Sequence, residues 1–232
     1  MKYIIDWKNN ASSLTIHLTA YLEHTLFPKL KEEYNLDSRA ELFIPDNYAE
    51  YLMTEWEYRY KHYIEDAEDL IGEIANDYID NCFIYTKFEW NITDEYMQYR
   101  IVLLKHHLEE LILSNIDLST GNINVDLIKQ YLEMAMRHEI GHILHHDNLF
   151  NEIGKEKFSE TLDKYDEELA DYFKYIEELE ENEDLSDEEI LLLTSRKYYK
   201  INDEAMANKF AGVNTEEFIK LELLVKEHLD IE

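Results

Sequence analysis

Only 5 glycines and 2 prolines interrupt these 232 residues. Tight turns that need a positive φ or a locked proline φ are therefore few, and the chain must spend its length in long regular elements. Leu, Glu, Lys and Ala are plentiful, which makes most of those elements helices. With 45% hydrophobic and 13% aromatic residues there is material for a core, which argues against disorder along the whole chain. The expected fold class is α+β, predominantly helical, with a small sheet.

Periodicity places the elements. Leu14, Ile16, Leu18, Leu22, Leu26 and Leu30 recur at roughly helical spacing over 11–35, with Pro28 as an interruption or kink. Leu42 to Asn47 reads as a short extended piece and a turn. Residues 47–80 read as a helix with Tyr51, Trp56, Tyr58, Tyr60 and Tyr63 among acids. Residues 82–92 alternate, with Cys82, Ile84, Thr86, Phe88, Trp90 and Ile92 on one side, which predicts a strand. Thr93-Asp94 is read as a helix start, and Met97, Ile101, Leu104, Leu108 and Leu111 extend that helix to about residue 114. Ser119-Thr120-Gly121 then sits at the tip of a small hairpin.

A helix over 125–147 follows, with Asn124 as its cap. Residues 164–182 form a strongly acidic helix or arm. Ser186-Asp187-Glu188-Glu189 has the capping-box form and opens a helix to about Lys200. Asn202 is placed to cap another helix that Gly212 ends, and Asn214 opens the last one. The organisation expected is a helical region with a short sheet over 1–120, packed on a second region over 121–232 that carries an acidic helical insertion at about 150–200.

The 125–147 helix contains His138-Glu139-Ile140-Gly141-His142, a His-Glu-x-x-His pattern. Residues i and i+4 share a helix face one turn apart, so two imidazoles there can bind one metal ion from the same side. Glu139 lies one step round, where it can act as a general base towards a metal-held water. At about 100° per residue, Leu132, Met136, Ile140 and Ile143 form a separate apolar stripe. The helix is therefore largely buried, with the histidines turned towards a cleft and Gly141 leaving room beside His142. Met134, Met136 and Met206 read as packing residues.

A zinc site needs a third protein ligand. His146 lies roughly 12 Å along the axis from His138 and cannot share an ion with it on a straight helix. The metzincin continuation needs Gly at 145 and His at 148, where this chain has His145 and Asn148. The remaining source is a second helix. Two segments offer Glu-x-x-Ala-(Asp/Asn)-x-Phe, one beginning at Glu167 and the other at Glu204.

His138-Glu139-x-x-His142 followed by Glu204-Ala205-Met206-Ala207-Asn208-Lys209-Phe210-Ala211 resembles the gluzincin metallopeptidases, and most of all the ImmA/IrrE-type peptidases of bacteria, phages and mobile elements. The resemblance covers two short motifs, about a tenth of the chain, and lacks the family's Thr-x-x-His-Glu lead-in. It implies a zincin-like core with the metal site between two helices. It also implies Zn²⁺ held by His138, His142 and Glu204, catalysis by Glu139, and support of a ligand histidine by Asn208. Glu167 stands as the alternative third ligand. Tyr198, Tyr199 and His145 are expected to be structural.

The formal charge of −30, from 22 basic and 52 acidic residues, disfavours nucleic acid phosphates and anionic membranes. One cysteine, Cys82, allows no intrachain disulfide and suits a reducing compartment. No signal segment or long apolar run is legible, so cytoplasm is expected, either of a cell or of a virus-infected host. The functional expectation is a zinc-dependent endopeptidase acting on a specific protein or peptide substrate. Its rivals are a metal hydrolase of another substrate class, and a non-catalytic acidic protein. The latter would bind a basic protein partner, or mimic nucleic acid, around a structural or vestigial metal site.

Overall fold

The structure is a computed structural model that describes residues 7–60, 83–91, 96–116, 123–180, 182 and 185–226. The readings made above for 61–80, Cys82, Ile92, Thr93-Asp94 and the hairpin tip at 119–121 lie outside those residues. The chain is α+β and predominantly helical, with one three-stranded sheet among the described residues. It divides into two compact units. The first comprises 1–89 and 98–113, the second 90–97 and 114–232.

In the first unit, α1 (Trp7–Tyr21) runs through a π-helical turn at Leu22–Leu26 into α2 (Phe27–Glu33). Pro28 lies at the start of α2. Proline offers no N–H to the preceding turn and its ring crowds the carbonyl four residues back, so a widened turn just before it carries the chain past without a break. Leu18, Leu22, Leu26 and Leu30 form one buried stripe along this rod.

The sheet has the order β1 (Ala40–Phe43), β3 (Tyr96–Leu103), β2 (Ile84–Asn91). β1 lies parallel to β3, with Ala40 opposite Tyr99 and Phe43 opposite Val102. Of the helix expected from residue 93, the described part Tyr96–Leu103 is strand, and α4 (Lys105–Ser114) begins only after it. The residues explain the misreading. Met97 and Ile101 satisfy i, i+4, but Met97, Tyr99, Ile101 and Leu103 also satisfy period two, and all four are buried. Across β2 and α3 (Tyr48–Tyr60), the Tyr51 and Tyr85 hydroxyls lie 2.8 Å apart. Lys87 reaches the fully buried Glu55 at 2.6 Å.

The second unit is built on α5 (Val125–Glu180), α6 (Asp187–Tyr198), α7 (Asn202–Ala211) and α8 (Thr215–Lys226). An antiparallel bridge joins Ile116 to Ile123 just before it. Asn124 caps α5, its Oδ1 accepting the Leu127 N–H at 3.1 Å. Ser186 and Glu189 form the reciprocal capping box of α6. α7 ends at Gly212, whose φ of 66° is the left-handed C-cap conformation.

α5 continues past residue 147 and is two helices that meet at a kink at Gly154, whose backbone (φ 76°, ψ 170°) is not helical; the second of them is the acidic arm. Beyond Gly154 the covered positions fall at 158, 161–162, 165, 168–169, 172, 175–176 and 179. That seven-residue repeat is one helix stripe, so the acidic arm docks along one face and leaves its acids on the other. No helix among the described residues is long and apolar enough to cross a membrane.

Candidate metal centre

Gly141 decides how closely α5 and α7 approach. A Cβ built on it would lie 2.0 Å from the Ala207 carbonyl oxygen and 2.6 Å from its carbon. The space beside His142 is therefore filled by the backbone of α7. Leu132, Met136, Ile140 and Ile143 anchor the opposite side of α5 in the core. With α7 in contact at Gly141, Glu204 and Asn208, which stand four residues and so one turn apart on α7, share the face turned to the two histidines.

Three atoms converge there. His138 Nε2 lies 2.9 Å from Glu204 Oε2 and 3.2 Å from His142 Nε2, and His142 Nε2 lies 3.6 Å from the same carboxylate oxygen. All three residues are at most 9% exposed. The other ring nitrogens are occupied. His138 Nδ1 sits 2.9 Å from Asn208 Oδ1, and Asn208 Nδ2 donates to Thr215 Oγ1 at 3.2 Å, which leaves Oδ1 as the acceptor. His142 Nδ1 lies 3.2 Å from Asp203 Oδ2, which can only accept. Both imidazoles thus carry hydrogen on Nδ1 and turn Nε2 inward.

Charge follows the same geometry. Burial opposes a charge on His142, but the neighbouring Glu204 and Asp203 carboxylates raise its pKa well above the ordinary histidine value. Burial would raise Glu204, and the His142 charge with the His138 and His142 hydrogen bonds outweighs it and holds the carboxyl ionised. Asp203 follows the same pattern, held low by His142 and His146 against burial. The Glu204 and Asp203 carboxylates thus favour positive charge at His142, beside His138 Nε2 and Glu204 Oε2. A cation can supply that charge, and these groups could hold a metal ion.

Further polar and aromatic side chains surround His138, His142 and Glu204. His146 Nε2 lies 2.8 Å from Asp203 Oδ1, so Asp203 bridges His142 and His146. His142, His146 and Asp203 themselves form a further group whose ligand atoms lie close enough to hold a metal ion. The Tyr198 hydroxyl donates to Glu204 Oε1 at 2.8 Å. His145 Nε2 lies 3.0 Å from the Tyr165 hydroxyl, and burial drops the His145 pKa to about 4. The rings of Tyr199 and Phe218 pack against His138 at 5.6 and 5.7 Å. The arm touches this shell at several points. Tyr172 stacks near Tyr198, Phe158 near His146, and Glu168 accepts the Asn202 backbone N–H at 2.8 Å. Asn202 is thus the first residue of α7 rather than its cap, and a carboxylate from the arm takes the capping role.

Of the residues named from sequence, His138, His142 and Glu204 come together, Asn208 holds His138, and Glu139 is buried beside them on α5. Glu167 lies exposed on the arm and belongs to neither group of side chains that could hold a metal ion. Asp203, His146, Tyr198 and Glu168 were not singled out as functional. Two of them had a legible signal: Asp203 directly precedes Glu204, and His146 is one further turn along the His138/His142 face.

No family model, curated protein or solved structure matches the chain. Fold and site together define a helix-rich α+β protein with buried His, Glu and Asp groups able to hold a metal ion.

Proposed function

We propose that this chain is a zinc-dependent peptidase of zincin-like architecture that hydrolyses a protein substrate, with His138, His142 and Glu204 as zinc ligands. The observation that carries the reading is the spacing of the three inward atoms, 2.9, 3.2 and 3.6 Å. Ligands about 2.0–2.1 Å from a tetrahedral zinc ion stand roughly 3.3 Å apart, so the atoms already lie at the edges of such a site. Two nitrogens and one carboxylate oxygen are also the donor set of catalytic rather than structural zinc, which leaves one position open.

Zinc in this place supplies a Lewis acid that polarises a carbonyl oxygen and makes water acidic near neutral pH. The residues of the chain do the rest. Asn208 and Asp203 hold the two imidazoles in one tautomer, which keeps their Nε2 lone pairs on the ion. Glu139, next to His138 on the same helix, takes the proton of the attacking water on a carboxylate oxygen and returns it to the leaving amine nitrogen. The rings of Tyr199 and Phe218 give the centre a low-dielectric wall, which strengthens every charge interaction inside it. The acids on the undocked side of the arm favour a substrate with a basic surface.

The test is zinc stoichiometry together with proteolysis of a mixed peptide library. Wild type is expected to hold one zinc and cleave, His138→Ala to lose the zinc, and Glu139→Gln to keep it while losing cleavage. Absence of zinc from wild type would overturn the reading. Zinc retention with equal behaviour of wild type and Glu139→Gln would move it to a binding protein with a structural ion.

A further inference from the structure

We infer that Tyr198 is a positioning residue that restricts Glu204 to single-oxygen ligation. The inference rests on the zinc reading above. The two oxygens of Glu204 have different partners. Oε2 faces His138 Nε2 and His142 Nε2, whereas Oε1 accepts the Tyr198 hydroxyl at 2.8 Å. A carboxylate free of such a bond can turn both oxygens to a cation, and on zinc that raises the coordination number and closes the position a substrate needs. A hydroxyl bond to an ionised carboxylate in a buried site is among the stronger hydrogen bonds, so it opposes that rotation.

The hydroxyl is held in place before any ion arrives. Tyr198 is the last residue of α6, and a tight turn carries the chain directly into α7, with the Ile201 N–H bonded to the Tyr198 carbonyl at 2.9 Å. This short connection fixes the six-residue separation of Tyr198 from Glu204. The ring is braced on two sides, by Tyr172 of the arm with centroids 5.4 Å apart and by Tyr199 at 5.2 Å. Tyr198 therefore loses little freedom when the ion binds. The arm contributes to the metal centre through this contact, Tyr172 to Tyr198 to Glu204.

The experiment uses the full chain loaded with cobalt(II) in place of zinc, as wild type and as Tyr198→Phe, which keeps the ring and its stacking. The visible cobalt spectrum reports coordination number. The expected result is an intense four-coordinate spectrum for wild type and a weaker five-coordinate one for Tyr198→Phe. Zinc affinity of the variant should fall by roughly tenfold or more, while the ion-free variant stays folded with a melting temperature lowered only by the loss of that one hydrogen bond. A purely structural tyrosine would not move the spectrum. X-ray absorption of zinc-loaded wild type tests the same point without any variant. One Glu204 oxygen in the first shell supports the inference, and two overturn it. An unchanged spectrum and affinity in Tyr198→Phe also overturn it while leaving the zinc reading intact. Failure of wild type to bind either metal overturns both.

Discussion

The carbonyl oxygen of Ala207 occupies the place where a Cβ at residue 141 would have to go, 2.0 Å from its ideal position. This contact of backbone with backbone sets the distance between the helix that carries His138 and His142 and the helix that carries Glu204. A side chain could give way there, but a backbone carbonyl inside a helix cannot.

Gly141→Ala should therefore separate α5 and α7 rather than simply crowd a side chain. The overpacking is expected to cost roughly 1–3 kcal/mol of stability. The larger effect should be on the metal, because both distances from the histidines to Glu204 cross this contact. Zinc affinity, measured by competition with a chelating dye, should fall much further than stability alone predicts. Equal affinity in wild type and Gly141→Ala would show that the helices do not depend on the glycine for their approach.

Asp203 holds His142 at Nδ1 and His146 at Nε2. Replacing it with Asn keeps size and one acceptor but removes the charge. Outer-shell partners of metal-bound histidines are typically worth about 10- to 100-fold in affinity, so Asp203→Asn should weaken zinc binding by that order. Glu167→Gln, on the exposed part of the arm, should leave affinity as it is. Isothermal titration of the three proteins separates the outcomes.

The cluster of side chains that could hold a metal ion was more legible in the sequence than the fold around it. Two histidines at i and i+4 on a strongly apolar helix constrain their own geometry, since the helix delivers it. Which carboxylate faces them depended on tertiary contact, and two segments of the same pattern competed for that place. What separates them in space is Gly141. Only the Glu204 helix has a small residue, Ala207, seated against that glycine, whereas Glu167 stays on the exposed side of the arm. The strand at Tyr96–Leu103 was misread because its apolar residues satisfy both periods, and only sheet partners decide between them. The acidic arm read as a solvated surface because its charges dominate its composition. Its docked stripe of Phe158, Tyr165, Tyr172 and neighbours becomes visible only when counted in sevens.

On the zinc reading, proton linkage should give the ion-free and zinc-loaded proteins different pH dependences. The folded pKa of His142 is raised, so its contribution to ion-free stability is complete below about 6.5, its unfolded value, and is lost as pH rises through the folded value. Glu204 and Asp203 are depressed, so their contributions are present in full above their unfolded values of 4.5 and 3.8 and are lost as pH falls through their lower folded values. With chelator, the melting temperature should therefore decline on the alkaline side. Zinc must displace the His142 proton, so its affinity and the stabilisation it confers should rise with pH over that same range. Melts from pH 6 to 9, with and without zinc, should diverge. Parallel curves would mean that no proton leaves on binding.

Glu168 offers the most direct test of whether the arm supports the centre. Its carboxylate accepts the Asn202 N–H at the first turn of α7, where the helix carries its partial positive charge. Glu168→Ala removes that cap, at an expected cost of about 0.5–2 kcal/mol. Glu168→Gln keeps a neutral acceptor and should cost less. Both changes lie outside the triad, yet α7 carries Asp203, Glu204 and Asn208 together. Fraying its first turn should therefore loosen Asp203 and Glu204 before Asn208, which lies a full turn further in. Zinc affinity is expected to follow the order wild type, Glu168→Gln, Glu168→Ala, with hydrogen exchange rising first at 203–205. Exchange confined to the arm, with affinity unchanged, would show that α7 holds its shape without the arm.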